Sequence, residues 1–415
     1  MTLNLLRTVC RKSSTHFAFL LLTLAIANEL LRIIVKGWDH GFSTFNDLWF
    51  YRAMSESIAD YIAPTPPSAE LSELLKERLD VREYYAGFHG VYLDERNGLS
   101  SQPPYVFRPL LPAITAAFRL AGASFVLAAN LIQVAAVAAI GYGVSGLLRS
   151  RDTDPCTTRC LALFCAGVFA AVSAPGYPDA LAAALGLFAF RKVRDRRALG
   201  AAALLSLATL CRETSIAYTL GVVLFPFPNK RSTAFAILLP LFVLLSTRMI
   251  LGTGSQSFNP GELFSERLSS QVVLQSVSAS ALLFPIVLVL QDSHLNFHRT
   301  KREAWTVYFC VAFGALALSL MATNVSRMSL LMLPLLFVPL RSQRYIANHW
   351  ISSALGGLTM FAACDQLQDI FGYRFQWHLC SLLLLTFVAG RSRRQSIAGQ
   401  ATESIRTGRR RGPRI

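Results

Sequence analysis

Apolar and polar positions follow one another along this chain in blocks whose lengths are typical of membrane helices. About twenty apolar residues are needed to cross the hydrocarbon layer of a bilayer as an α-helix. The first block, residues 16–35, meets this length, and blocks of similar length occupy residues 125–148, 233–251 and 272–290. The pattern predicts an all-α fold, a polytopic membrane helical bundle.

The other apolar runs vary in length, and several contain only about 11–15 residues, which is short for a perpendicular crossing. We expect these runs to borrow flanking residues or to line a thinned, water-accessible region. The full set of these other apolar runs, short and long, is residues 113–120, 161–174, 180–190, 198–210, 215–227, 305–322, 328–340, 346–364 and 375–390.

Basic clusters between the runs predict the orientation. More than half of the 40 Lys and Arg residues lie in five short connections and at the two termini, and such clusters mark the cytoplasmic side. The connections are residues 149–159, 191–197, 229–232, 292–304 and 341–344. If residues 113–120 and 125–148 both crossed, two of these clusters would be outside. We therefore predict that residues 108–122 lie in or dip into the outer interface, which leaves about twelve crossings with both termini cytoplasmic.

Four regions follow from this topology. Residues 1–35 form the cytoplasmic N-terminus and the first span, and residues 36–122 form a long extracytoplasmic loop with juxtamembrane helices. Residues 123–390 form the bundle, and residues 391–415 a basic tail that attracts anionic lipid headgroups. Inside the long loop, residues 48–62 have apolar side chains at helical spacing and should form an interfacial helix.

Two polar residues interrupt the first span. Arg32 lies near its outer end and is expected to snorkel to the interface, whereas Glu29 should face the bundle because a carboxylate in lipid is costly. A cleaved signal peptide is the alternative for this region, since residues 25–27 resemble a cleavage site. The apolar residues continue to Val35, however, which favours a retained span.

Composition supports the membrane class and narrows the partners. Hydrophobic residues make up 53% and charged residues 15% of the chain, with mean hydropathy +0.43. The net charge of +16 does not indicate nucleic acid, because the basic residues are dispersed in short clusters. None of the eight cysteines falls in the long loop, so no disulfide framework is expected there. Cys156 and Cys160 lack a second ligand pair, so no metal or other cofactor is expected, although the pattern does not exclude a divalent cation.

The topology places most of the unusual polar residues on the outer face. Acidic and cationic residues at several helix ends on one side of a membrane indicate a polar cavity at that surface. The residues are Asp39, Asp47, Arg52, Arg108, Asp179, Arg212, Glu213 and Arg327.

Sugar transfer from a polyprenyl-phosphate carrier suits such a cavity. Guanidinium groups bind phosphate in a bidentate fork and stay ionised, so they can meet the charge of the leaving phosphate. The attacking hydroxyl must lose a proton, which requires a positioned carboxylate as base. Asp47 is the first candidate for this role and Asp39 the second.

Short motifs at these positions resemble those of the GT-C superfamily of integral-membrane glycosyltransferases. Asn46-Asp47-x3-Tyr51 is similar to the acidic motif of that family's first loop, and Tyr105-x2-Arg108-Pro109 occupies the place of its juxtamembrane segment. Tyr177-Pro178-Asp179-Ala180 and Arg212-Glu213-Thr214 resemble motifs at outer helix ends in bacterial members. We do not expect residues 391–415 to form the soluble C-terminal domain of oligosaccharyltransferases, and the first loop has no clear Asp-Glu pair.

The resemblance implies an inverting glycosyltransferase of the bacterial inner membrane that takes a polyprenyl-phosphate sugar as donor. The acceptor, a glycan, lipid or protein, is left open, and membrane lipids are the remaining expected partner. Substrate-binding residues are then expected to be Tyr51, Arg52, Tyr105, Arg108, Tyr177, Asp179, Arg212, Glu213 and Arg327. The alternative function is a transporter or flippase of an anionic lipid or polysaccharide precursor, which predicts two related halves and polar residues deep in several spans. A non-catalytic scaffold is a third reading.

Structural roles compete with these functional ones. Asp47 could cap the helix that follows it, and Arg108 could anchor an interfacial helix to lipid phosphates. Asp179 could simply start a helix after a turn, while Arg212 and Glu213 could neutralise each other as a structural pair. Snorkelling of Arg327 at the interface competes with phosphate binding.

Overall fold

A computed structural model gives the conformation of part of the chain. It describes residues 14–38, 46–63, 108–148, 175–224, 226–251 and 333–336, together with residues 159, 162–163, 165–167, 169–170 and 173. All the regular secondary structure in these ranges is helical, which confirms the predicted all-α class for them. The runs predicted between residues 272 and 332 and beyond 336 lie outside the described residues, so the count of about twelve crossings and the side of each terminus stay predictions.

Nine α-helices and one 3₁₀ helix are described in these ranges. The α-helices are α1 (Ser14–Lys36), α2 (Asn46–Ile62), α3 (Leu110–Leu120), α4 (Phe125–Leu148), α5 (Asp179–Arg194), α6 (Ala198–Cys211), α7 (Thr219–Leu224), α8 (Lys230–Leu251) and α9 (Leu333–Leu336), and the 3₁₀ helix (Glu213–Tyr218) lies between α6 and α7.

Three of the described helices are long and apolar enough to cross a membrane. They contain the segments Thr15–Ile34, Phe125–Leu147 and Lys230–Ile250. Large apolar side chains on α8 remain exposed, for example Phe242 at 67% and Met249 at 80%, as expected for a surface that faces lipid. The predicted spans 16–35, 125–148 and 233–251 correspond to these helices. By contrast α3 has 11 residues and a length of about 16 Å, too short to cross alone.

Helices α5 and α6 form a closely packed hairpin because small residues line their shared face. Ala183 and Ala184 on α5 and Ala201 and Ala202 on α6 are all buried. Small side chains let helix backbones approach closely, which is a common packing mode between membrane helices. The turn between them includes Arg196, whose φ of 59° is left-handed. The far ends of both helices are thereby brought together.

The run 215–227, which was predicted to be one crossing, is broken into two short elements. The 3₁₀ helix Glu213–Tyr218 leads into the six-residue α7, Thr219–Leu224. With rises of about 2.0 and 1.5 Å per residue, the two together span only about 21 Å. The prediction of one continuous helix over residues 215–227 is therefore wrong, whereas the crossing of this segment stays a prediction. α8 packs against both elements and against α6.

Two compact units divide the chain. The first contains residues 1–23, 140–172 and 262–415, and in it the Arg159 guanidinium carbon lies 5.3 Å from the centre of the Phe17 ring. The second contains residues 24–139 and 173–261. It holds α2, α3, α5 to α8 and the 3₁₀ helix, and therefore every predicted site residue that the structure describes.

Polar side chains inside α1 and α4 bond to one another within the second unit. Nε of Arg32 donates to Oε1 of Glu29 at 2.7 Å, and Nη2 of Arg32 donates to Oδ1 of Asn130 at 2.9 Å. All three residues are buried. Glu29 therefore faces the interior as predicted, but the prediction that Arg32 snorkels is wrong, because its guanidinium is held inside by a carboxylate and an amide. One turn further along α4, Gln133 donates to the backbone carbonyl of Ser173 at 2.9 Å.

Candidate functional site

A buried ion pair joins the beginning of α5 to the end of α6. Asp179 is the first residue of α5 and follows a turn at residues 175–176, while Arg212 directly follows α6. Nη1 of Arg212 donates to Oδ1 of Asp179, and both side chains are only 1% exposed. Cys211 strengthens the junction by donating from Sγ to the carbonyl of Pro178 at 3.3 Å. Asp179 does start a helix after a turn, and its carboxylate also neutralises Arg212.

Glu213 takes different partners from its neighbour. Nη2 of Arg248, in the last turn of α8, donates to Oε2 of Glu213 at 2.5 Å. The alternative in which Arg212 and Glu213 pair with each other is wrong. The reason is the extended backbone of Arg212, with φ −154° and ψ 121°, because consecutive side chains around an extended residue point to opposite sides.

Arg108, two residues before α3, belongs to the same cluster. Its Nη1 donates to the hydroxyl of Tyr51 at 2.9 Å, and its Nε lies 3.9 Å from Oε1 of Glu213. Burial raises the pKa of the Tyr51 phenol, and the nearby Arg108 guanidinium offsets this only in part. Tyr51 therefore stays neutral near pH 7 and can act as a hydrogen-bonding group beside the guanidinium.

An apolar cluster packs around Tyr51 and thereby fixes its position beside Arg108. Tyr51 packs with Leu48 on the same helix, with Phe125 and Ala129 on α4, and with Tyr177. Tyr51 is 1% exposed and Tyr177 is 7% exposed. Tyr51 and Tyr177, which were predicted to bind substrate, thus belong to the core that fixes α2, and Tyr51 also bonds to Arg108 of the charged cluster.

Asp47 lies inside a helix rather than before one. α2 begins at Asn46, so Asp47 belongs to its first turn and precedes Tyr51 by one helical turn. The interpretation of Asp47 as the residue that caps a helix beginning at Leu48 is therefore wrong in its boundary. An acidic residue in a first helical turn is still favoured by the helix dipole.

Arg52 and Arg119 extend the positive character of this region. Arg52 is half-buried on α2, and burial followed by the charge of Arg52 lowers the pKa of Arg119 on α3. α2 and α3 pack against each other. The two guanidiniums are close enough to influence each other and concentrate positive charge where they lie, although α2 also carries three acidic residues.

Three predicted site residues, Asp39, Tyr105 and Arg327, lie outside the described residues, and their roles stay predictions. One charged member of the cluster, Arg248, was missed by the sequence analysis. The signal that could have found it is a lone arginine near the outer end of the run 233–251, at a position equivalent to the predicted outer residues.

The cluster therefore combines three guanidiniums, from Arg108, Arg212 and Arg248, with the carboxylates of Asp179 and Glu213. They come from four places in the chain that the fold brings to one end of α5, α6 and α8. Such an arrangement can bind an anion and can hold its charges in fixed positions.

Comparisons with known proteins identify no relative of this chain. The chain matches no protein-family model, no curated protein and no solved structure.

Proposed function

We propose that this protein is a GT-C-like membrane glycosyltransferase that moves a sugar from a polyprenyl-phosphate carrier to an acceptor at the periplasmic face of a bacterial inner membrane. The observation that carries the proposal is the charged cluster at one end of α5, α6 and α8, next to helices that are apolar enough for a membrane. A donor with a lipid tail and a phosphate requires both features at one place.

The arginines of the cluster have different tasks in this proposal. Arg212 forms a buried ion pair with Asp179, so we assign it to holding α5 and α6 in register. Arg108 lies beside a neutral phenol and an incompletely bonded carboxylate, so we assign it to the carrier phosphate. Arg327 keeps the phosphate role predicted for it.

Asp47 is the proposed base, with Asp39 as the second candidate. The acceptor hydroxyl attacks the anomeric carbon of the sugar while the carboxylate takes its proton. The bond between that carbon and the carrier phosphate breaks, and the phosphate leaves with the electron pair. The place of Asp47 one turn from Tyr51, which itself bonds to Arg108, supports this assignment.

In vitro transfer tests the proposal directly. Purified protein is offered a panel of polyprenyl-phosphate sugars, with and without a divalent-cation chelator, and Asp47→Asn is compared with wild type. We expect transfer to fall about 100-fold or more in Asp47→Asn, as is typical for loss of a general base. Asp195→Asn, an acid in the turn between α5 and α6, is the matched control and should keep wild-type activity.

Equal activity of Asp47→Asn and wild type would remove Asp47 as base and move the test to Asp39→Asn. A wild-type protein that is inactive with every donor would refute the enzyme proposal.

A transporter of an anionic lipid or polysaccharide precursor is the second candidate. It is favoured by the buried polar residues Glu29, Arg32, Asn130 and Gln133 within α1 and α4, since transporters place polar groups deep in their spans. Movement of a labelled polyprenyl-phosphate sugar across the bilayer of reconstituted vesicles, in the absence of transfer, would support this candidate over the enzyme.

A further inference from the structure

Glu213 lies between two arginines that belong to distant parts of the chain. Its Oε2 accepts a hydrogen bond from Arg248 at 2.5 Å, and its Oε1 lies 3.9 Å from Nε of Arg108. Arg108 lies two residues before α3 and Arg248 lies in the last turn of α8, so the carboxylate links these elements through an ion pair and a charge-assisted hydrogen bond. A carboxylate with a guanidinium on each side occupies the position that an external anion would take.

The Glu213 carboxylate uses only part of its hydrogen-bonding capacity between the two arginines. Oε1 of Glu213 is buried, and it accepts no hydrogen bond from the residues that the structure describes. The 3.9 Å separation from Arg108 is longer than a hydrogen bond. The hydroxyl of the adjacent Thr214 is likewise buried without a described hydrogen-bond partner. A phosphate group is larger than a carboxylate and carries more acceptor oxygens, so it can reach groups that Glu213 leaves unsatisfied.

The surroundings of Arg248 favour a phosphate attached to a lipid. The Arg248 side chain is 56% exposed, whereas Arg108 and Glu213 are 12% exposed, so the site opens on the α8 side. Leu245 and Met249 on the same stretch of α8 are 59% and 80% exposed. An apolar chain can lie along these residues while its phosphate reaches the arginine.

We infer that Arg108 and Arg248 form a two-arginine site for the phosphate of a lipid carrier, and that Glu213 occupies this site as an internal anion that the phosphate displaces. The inference deepens the proposed function and rests on it for the identity of the lipid. On binding, both guanidiniums exchange a carboxylate for a phosphate, and the Glu213 carboxylate turns away. Competition from Glu213 thereby weakens the binding of any anion that cannot contact both arginines at once.

Binding of a carrier without sugar tests the inference independently of transfer. The full-length protein in detergent is titrated with a fluorescent short-chain polyprenyl monophosphate, and wild type is compared with Glu213→Gln and Arg248→Gln. Glu213→Gln is expected to bind about tenfold more tightly or better, since no carboxylate competes for the charge-assisted bonds. Arg248→Gln is expected to bind about tenfold more weakly. Because the Arg248 side chain is 56% exposed, glutamine fits at this position, and its amide can still donate a hydrogen bond to Glu213.

Arg231→Gln is the matched control, because it removes the same charge from the opposite end of α8 at an exposed position. It should bind like wild type. Unchanged or weaker binding by Glu213→Gln overturns the inference, as does an Arg248→Gln variant that binds like Arg231→Gln. A parallel titration with inorganic phosphate identifies the source of the anion: equal effects of the two probes overturn the lipid assignment, and weaker binding of inorganic phosphate supports it.

The same variants separate this inference from the proposed function. Sugar transfer by wild type, with no gain in binding for Glu213→Gln, retains the enzyme and refutes the internal anion. The expected binding pattern in a protein that transfers no sugar from any donor refutes the enzyme and supports the phosphate site.

Discussion

At the residue scale, the most buried charges of the site are those of Asp179 and Arg212. Each side chain is 1% exposed, so neither ion can recover hydration if its partner is lost. Removal of one partner from a buried pair costs about 3–5 kcal/mol, because an uncompensated charge remains. We therefore expect Asp179→Asn to lower stability by that amount, measured as thermal unfolding of the detergent-solubilised protein.

The pair Arg194 and Asp195 supplies the comparison for this prediction. The side chain of Asp195 is 40% exposed, so Asp195→Asn should change stability by no more than about 1 kcal/mol. The double variant Asp179→Asn/Arg212→Gln should lose less than the two single changes added together, because no lone charge is left. A loss in Asp179→Asn as small as that in Asp195→Asn would contradict the argument.

The partners within the site show what sequence can and cannot predict for single residues. Arg108, Asp179, Arg212 and Glu213 were found because polar residues at the ends of apolar runs stand out. The partners of the ion pairs could not be predicted from the sequence, because Arg212 pairs with a carboxylate 33 residues away instead of the adjacent one. Arg248 was not predicted, because it lies within an apolar run, where a single arginine is typical of a residue at the membrane interface.

At the element scale, the 3₁₀ helix that starts with Glu213 is positioned by a close contact with α5. A Cβ atom added at Gly186 would lie 2.6 Å from Cε2 of Tyr218. The Tyr218 ring also packs edge-on against Phe190, with ring centres 6.1 Å apart. Glycine at position 186 thus allows the tyrosine, and with it the 3₁₀ helix, to approach α5.

We expect Gly186→Ala to destabilise the protein by about 1–3 kcal/mol through overpacking, and to reduce sugar transfer by shifting the 3₁₀ helix and the Asp179–Arg212 junction that precedes it. Thermal unfolding and the transfer assay measure the two effects. Gly200→Ala on α6 is the control, since its new Cβ would meet only the flexible Lys192 side chain at 3.4 Å. If Gly186→Ala is as stable as Gly200→Ala, Tyr218 does not need the space. Gly186→Ala/Tyr218→Leu should be less destabilised than Gly186→Ala alone.

Helix boundaries were predictable where a run is long and its ends are marked. The run 125–148 coincides with α4, because polar and turn-forming residues limit it on both sides. The run 215–227 was read as one helix, although it divides into a 3₁₀ helix and α7. Both kinds of helix can bury the same apolar residues, so a short run does not reveal the division.

At the scale of the whole molecule, the orientation rests on the distribution of Lys and Arg. It predicts that the turn between α5 and α6 is cytoplasmic and that the turn between α3 and α4 is outside. A Cys at Ala121 should react with a membrane-impermeant maleimide in intact cells whose outer membrane has been opened. A Cys at Asp195 should react only after the inner membrane is permeabilised. Both positions are exposed.

The eight native cysteines are replaced by serine for this experiment, and the parent without either new Cys serves as the background. Labelling of Asp195→Cys in intact cells, together with protection of Ala121→Cys, would reverse the predicted orientation. It would also place the charged cluster on the cytoplasmic side and exclude a periplasmic reaction.

Composition and run lengths were enough to predict a helical membrane protein, because crossing a bilayer requires long apolar helices. They were enough to predict that Asp179, Arg212 and Glu213 share one side, because short turns alternate in side as helices cross. The polar residues at these helix ends also predicted that the ends converge, but which residues make the contact of α5 with α6, Ala183 and Ala201 among them, was not predicted.

The long sequence separation within the two ion pairs has a consequence for how the chain is made. Asp179 leaves the ribosome 33 residues before Arg212, and Glu213 leaves 35 residues before Arg248. At about 5–20 residues per second, each acid waits some two to seven seconds for its cation. During that interval, protonating the unpaired carboxylate or removing its hydration water costs free energy. We therefore expect α5 to enter the bilayer together with α6 rather than before it.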